Sequence, residues 1–214
     1  MYLMGLTGSI GMGKTLTAGL FEQEGVPLYD ADAAVHALYA QGGAAVAPIA
    51  QLVPEAIIDG AVDRTILGRA VLDDAAQLKK LEAIVHRLVG AAQIDFLTAQ
   101  KQANARQVLL DIPLLFETGG DAFVDCTIVV SAPFAVQQQR VLARAGMTAK
   151  KFASIVAKQL PDAEKRARAD FVVDSSVSVA HAHAQVRAIL KAVAGREGVA
   201  YAARLTRAKQ YKSE

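Results

Sequence analysis

The stretch "GSIGMGKT", residues 8–15, fits the pattern G-x-x-x-x-G-K-[ST] with Gly8, Gly13, Lys14 and Thr15 in register. Glycines at such spacing let backbone N–H groups turn inward around phosphate oxygens, and a helix starting near Gly13 adds its positive dipole end. Gly8, Gly11, Met12 and Gly13 are therefore expected to cradle a nucleotide. Lys14 should reach its β and γ phosphates, and the Thr15 hydroxyl should bind Mg²⁺. The competing reading is a glycine turn beside an ordinary surface lysine, and the apolar strand before the loop and helical pattern after it speak against that. No N-K-x-D follows, so the nucleotide is expected to be ATP and not GTP.

A second chemistry is offered by "VPLYDADAAVH", residues 26–36, where Asp30 and Asp32 end a short apolar run. Phosphoryl transfer to an acceptor that is already a phosphate needs clamping cations, whereas an alcohol acceptor gains from a carboxylate that takes its proton. Asp32 could equally cap the helix that "AAVHAL" begins, because aspartate is among the best capping residues. Position 35 is Val, however, so no capping box forms. Two apart in an extended segment, the carboxylates would project the same way, one capping or orienting while the other works.

The elements that must position these groups follow from the apolar pattern. Short runs suited to strands covered on both faces are "YLMGLT" (2–7), "VPLY" (26–29), "QVLLDI" (107–112), "CTIVVSA" (126–132) and "FVVD" (171–174). Helical stretches at 14–24, 134–145 and 177–194 alternate with them, which predicts an α/β fold with a parallel five-stranded sheet flanked by helices. The interval 33–105 shows no strand. Its second half carries Leu67, Val71, Leu78, Leu81, Val85 and Leu88 at helical spacing, and "QGG", "AP", "VP" and "DG" mark turns between short helices in its first half. It is expected to be a helical insertion that holds the acceptor over the carboxyl ends of the strands.

Residues 140–168 hold eight basic side chains against two acidic ones, a net +6. A solvated face is the ordinary explanation of such a run. Beside a phosphate loop it reads instead as a helical lid whose arginines close over the nucleotide. The core is then about 1–32, 106–139 and 169–214, in one kinase domain.

Composition bounds the partners. A formal charge of +2 is too mild for a nucleic-acid footprint, and no apolar run approaches the ~20 residues of a membrane span. "MYLMGL" lacks the basic start of a signal peptide, and the single cysteine, Cys126, reads as a small core residue in a reducing compartment. A cytoplasmic protein with no obligate protein partner is expected. His181 and His183, two apart on a helix, point apart and read as surface residues. The basic end "RLTRAKQYKSE" is expected to fray.

The order "LTGSIGMGKT", "DAD", "DGAVDRTILGRAVLDDAAQLKKLEAIVH", "DIPLLFE", "QQQRVLARAGMT" and then Gln159 and "AD" at 169–170 resembles the dephospho-coenzyme A kinase family over most of residues 3–174. That resemblance implies a P-loop NTPase-type fold. It also implies ATP- and Mg²⁺-dependent phosphorylation of the ribose 3′-hydroxyl of dephospho-CoA, the last step of coenzyme A synthesis. Under it Asp32 is the base, Lys14 holds the transferring phosphate, and Arg140, with Arg144 as the weaker candidate, contacts ATP phosphates. Asp111 lies near the Mg²⁺ water shell, and Arg64, His86, Leu115 and Glu117 serve the acceptor. Two departures stand out. His86-Arg87 replaces the family's usual His-Pro, so the helix is expected to run on, and "VVDSSVS" places Ser175 or Ser176 where an Asn commonly follows the fifth strand. The alternatives are a nucleoside monophosphate or other small-molecule kinase and, further off, a regulatory ATP-binding switch.

Overall fold

A computed structural model describes residues 1–72 and 74–211. The chain divides into two compact units: Met1–Tyr29 with Ala99–Arg204, and Asp30–Thr98 with the C-terminal segment from Leu205.

The first unit is built on a five-stranded sheet. In chain order its strands and the helices between them are β1 (Tyr2–Thr7), α1 (Lys14–Gln23) and β2 (Leu28–Asp30). Beyond the second unit, chain order supplies β5, β6 and β7, giving the spatial order β2-β5-β1-β6-β7. β5 is Gln107–Asp111, β6 Cys126–Ser131 and β7 Phe171–Asp174. β1 pairs in parallel with β5 and β6, and β6 with β7. Every residue of β1 and of β6 is buried, as strands covered on both faces must be.

Alternate side chains divide the core. Met4, Leu6, Ile128, Val130 and Val173 pack on one face with Phe21 of α1 and with Val186, Ile189 and Val193 of a later helix, Val179–Val193. On the opposite face Gly5 lets Leu115 and Val124 lie directly on the sheet, since a Cβ there would sit 2.9 Å from Leu115 Cδ2. Cys126 belongs to the first face, and burial pushes its thiol up to about 12, which makes it an inert core residue.

The second unit contains α2 (Ala31–Tyr39), α3 (Val46–Leu52), β3 (Ile57–Ile58), β4 (Ala61–Val62), α4 (Arg64–Leu72) and the first 24 residues of α5 (Ala75–Gln102). Ile49, Val53, Val62, Leu67, Val71 and Leu81 form its core, with Val85 and Leu88 packed against them. Leu78 of the expected stripe is exposed instead. The expectation of no strand is corrected here: Asp59 and Gly60 at φ 50° and 75° form a tight turn joining an antiparallel two-residue ladder. Asp-Gly with both φ positive is a hairpin turn, and two-residue strands are too short to show alternation. α5 runs unbroken through His86-Arg87 for 28 residues, ~42 Å, because Arg87 keeps the backbone N–H that proline would remove.

The remaining helices are α6 (Phe134–Leu142), α7 (Ala149–Val156), α8 (Asp162–Arg168), α9 (Val179–Val193) and α10 (Ala200–Tyr211). The tail expected to fray is therefore helical to Tyr211, and residues 212–214 lie outside the described ones. Among the described residues no helix is long and apolar enough to cross a membrane.

Candidate active site

The phosphate loop joins β1 to α1. Gly11 and Gly13 adopt φ of 80° and 92°, a region side chains rarely enter. A Cβ on Gly11 would also fall 2.4 Å from Val141 Cγ2, and one on Gly8 would fall 2.8 Å from the Val130 carbonyl oxygen. The glycines thus serve two ends, a left-handed turn and close packing on β6 and α6. Gly13 caps α1 with no side-chain hydrogen bond, so the helix start keeps its amide donors for a ligand.

Lys14, the first residue of α1, places Nζ 2.6 Å from Oδ1 of Asp111, and the Asp111 side chain is only 4% exposed at the end of β5. The pairing follows from topology, since β5 lies beside β1 and Leu6 is in register with Asp111. Thr15 is exposed on the first turn of α1.

Arg140 comes to the same loop from α6. Its Nη1 donates to Ser175 Oγ at 2.9 Å and its Nη2 to the Ser175 carbonyl at 2.7 Å, while Ser175 Oγ donates to the Met12 carbonyl at 2.6 Å. Ser175 therefore links Arg140 to the phosphate loop, and Ser176 is occupied differently, donating to Asp174 Oδ1. Those Ser176 hydrogen bonds, from hydroxyl and amide, hold the Asp174 carboxyl below its usual range. Arg144 is exposed beyond the end of α6. A cavity of ≈ 800 Å³ opens beside the loop, reached by Ser9, Met12, Gln137, Asp162 and Arg166.

The 111–117 segment departs from expectation. Leu115 is fully buried over Gly5, so its side chain presents no surface to an acceptor. Glu117 is taken up internally: Oε1 lies 2.8 Å from Lys165 Nζ and accepts the Leu160 N–H at 2.9 Å. Burial alone would raise the Glu117 carboxyl, but Lys165 and the Leu160 amide outweigh it and hold it below its usual range. The basic run at 140–168 is correspondingly less free than its charge suggests. Lys165 is completely buried, and Arg168 pairs with Asp121 at 2.7 Å and lies 4.4 Å over the Phe116 ring. His183 is also engaged, with Nε2 2.6 Å from Glu24 Oε1, whereas His181 is exposed as expected.

In the second unit the aspartate pair separates. Asp30, the last residue of β2, is the cap of α2 and accepts the Ala33 N–H at 3.0 Å. Asp32 stands in the first turn of α2, exposed, so the two are not successive outward positions of one extended segment and Asp32 is not the cap. Arg64 opens α4, where Asp63 accepts the N–H groups of Thr65 and Ile66 at 2.8 and 2.9 Å. Arg64 lies 5.2 Å over the Tyr39 ring with Nη1 3.3 Å from His36 Nε2. Sequence reasoning missed His36 and Tyr39, although their spacing of three on α2 places them on one helical face. His86 is exposed on α5.

A glycine loop between the first strand and first helix of a parallel sheet, ending in a lysine that meets the carboxylate of the adjacent strand, defines a P-loop kinase fold. The profile described as dephospho-CoA kinase matches residues 2–181. A dephospho-CoA kinase of Mesorhizobium japonicum is 51% identical over 198 residues, 92% of this chain and 100% of its own. Among solved structures, that of TT1252 from Thermus thermophilus superposes with a TM-score of 0.78 at 34% identity, covering 91% of this chain and 98% of its own. A dephospho-CoA kinase from Campylobacter jejuni, 19% identical, shares the fold at a TM-score of 0.62 over 89% of this chain and 96% of its own. The chain belongs to the dephospho-CoA kinase family, ATP-dependent phosphotransferases of the last step of coenzyme A biosynthesis.

Proposed function

We propose a division of labour for phosphorylation of the ribose 3′-hydroxyl of dephospho-CoA in which Asp32 takes the hydroxyl proton. The acceptor oxygen then bonds to the γ-phosphorus of ATP as the bond to the β-phosphate oxygen breaks, releasing ADP and coenzyme A. The observation that carries this assignment is the capping of α2 by Asp30, which leaves Asp32 an exposed carboxylate with no structural duty in that cap. A general base of this kind contributes about 10²–10⁴ in rate.

Lys14, now held by Asp111, exchanges that carboxylate for the β and γ phosphate oxygens, and Arg140 at the loop supplies a second cation. The Thr15 hydroxyl and the Asp111 carboxylate are oxygen donors of the type that suits Mg²⁺ and would hold it. When bound, Mg²⁺ would offset negative charge on the transferring phosphoryl group. Arg64, braced by Tyr39 and His36, is the acceptor-side cation for the phosphates of dephospho-CoA, and His86 is a further contact. We also place the protein in the cytoplasm, acting without an obligate protein partner.

A panel of acceptors tests the substrate. ADP should form from Mg-ATP when dephospho-CoA is supplied and fall to background with AMP, CMP or shikimate. Equal turnover with any of the three would replace this reading by a broader small-molecule kinase.

A further inference from the structure

The backbone of Ile10, inside the phosphate loop, is gripped on both its N–H and its carbonyl. Its N–H donates to Gln159 Oε1 at 3.1 Å and its carbonyl accepts from Gln137 Nε2 at 2.8 Å. Gln137 is buried on α6, so that grip belongs to a fixed helix. Gln159 instead lies in the turn between α7 and α8, and the residue after it, Leu160, donates its N–H to Glu117. Glu117 is the last residue of the segment that starts at Asp111, and Asp111 returns to the phosphate loop through Lys14.

The contacts therefore close a circuit: Ile10 to Gln159 and Leu160, to Glu117, along 111–117 to Asp111, and to Lys14. Two further ties hold the turn in place. Lys165 of α8 is 0% exposed against Glu117, and Ser131 Oγ, at the end of β6, donates to Asp162 Oδ2 at 2.7 Å. A segment so anchored is poorly suited to swing as a lid, whatever its charge.

We propose that Gln159 and Glu117 are positioning residues, and that the 159–160 turn is a strut fixing the phosphate loop against the 111–117 segment. The strut sets where Lys14 and Asp111 meet before nucleotide arrives, and it confines any lid movement to the stretch between Arg144 and Lys158. It rests on the kinase reading only in assigning phosphate to the loop.

The test compares Gln159→Met, which keeps length and removes the acceptor, with Gln159→Glu, which restores an acceptor oxygen. Amide exchange at Ile10 is measured without nucleotide, and ATP affinity without acceptor, so neither depends on the role of Asp32 or on the identity of the acceptor. Gln159→Met should speed Ile10 exchange at least about tenfold and weaken ATP about tenfold with little change in Tm, as loss of one part-buried hydrogen bond implies. Gln159→Glu should recover the Ile10 protection. Because Glu117→Gln alone would strand a buried ammonium, the second variant is Glu117→Gln with Lys165→Met. Combined with Gln159→Met it should weaken ATP no further than the stronger of the two alone, as for parts of one strut. Unchanged Ile10 exchange in Gln159→Met, or effects of the two variants that simply add, would overturn the proposal.

Discussion

The two units hold the side chains proposed for function in opposite ways. In the first, Lys14, Asp111, Arg140 and Glu117 are all paired, and the partners Asp111, Ser175 and Lys165 are buried. In the second, Asp32, Arg64 and His86 are exposed, and Arg64 has an aromatic face and a histidine instead of a carboxylate as neighbours. The proposed donor-side groups are thus held in an ion-pair and hydrogen-bond network before any ligand arrives. The proposed acceptor-side groups are solvent-exposed, and of them Arg64 alone is shown with side-chain neighbours among the described residues. If the proposed roles hold, changes in the first unit should affect function and stability together, whereas changes in the second should separate them.

That contrast is most exposed to failure at Asp32. Asp32→Asn should lower kcat by about 10²–10⁴ in steady-state assays while leaving Tm and ATP affinity nearly unchanged, since the residue caps nothing and is exposed. A large drop in Tm with normal kcat would erase the distinction between the units. Gly11→Ala asks the reverse question of the phosphate loop. The left-handed φ and the approach to Val141 should together lower stability by about 2–4 kcal/mol in denaturant titrations, and ATP binding should fall with it.

The smallest effect concerns acid. The Glu117 carboxyl is held below its usual range in the folded state, so its ion pair contributes stability in full above the value the carboxyl has in the unfolded chain. The contribution is lost as pH falls through the lower folded value. The difference in Tm between the protein and Glu117→Gln should therefore shrink as pH is lowered from 7 towards 3, and a difference independent of pH would show that the charge of Glu117 is immaterial.

Much of this was legible in the residues, for identifiable reasons. Continuous Val/Ile/Leu runs mark strands buried on both faces, and the five expected strands all exist, the second shifted from 26–29 to Leu28–Asp30. That shift decides the aspartate pair, because ending the strand at Asp30 makes it the cap. The β3–β4 ladder escaped because a two-residue strand has no period. The strut escaped for another reason: Lys165 sits in a run of charges that pattern alone reads as solvated, and only the packing of α8 reveals it buried against Glu117.

The sequence by itself determined the phosphate loop, the strand–helix alternation and the family, because each is written in local spacing and residue type. Only the tertiary structure decided which aspartate caps α2, which lysines are occupied, and that Leu115 and Glu117 support the sheet and the strut. Those outcomes depend on contacts between residues far apart in the chain, such as Lys14 with Asp111 and Ile10 with Gln159, and spacing along the chain does not encode such contacts.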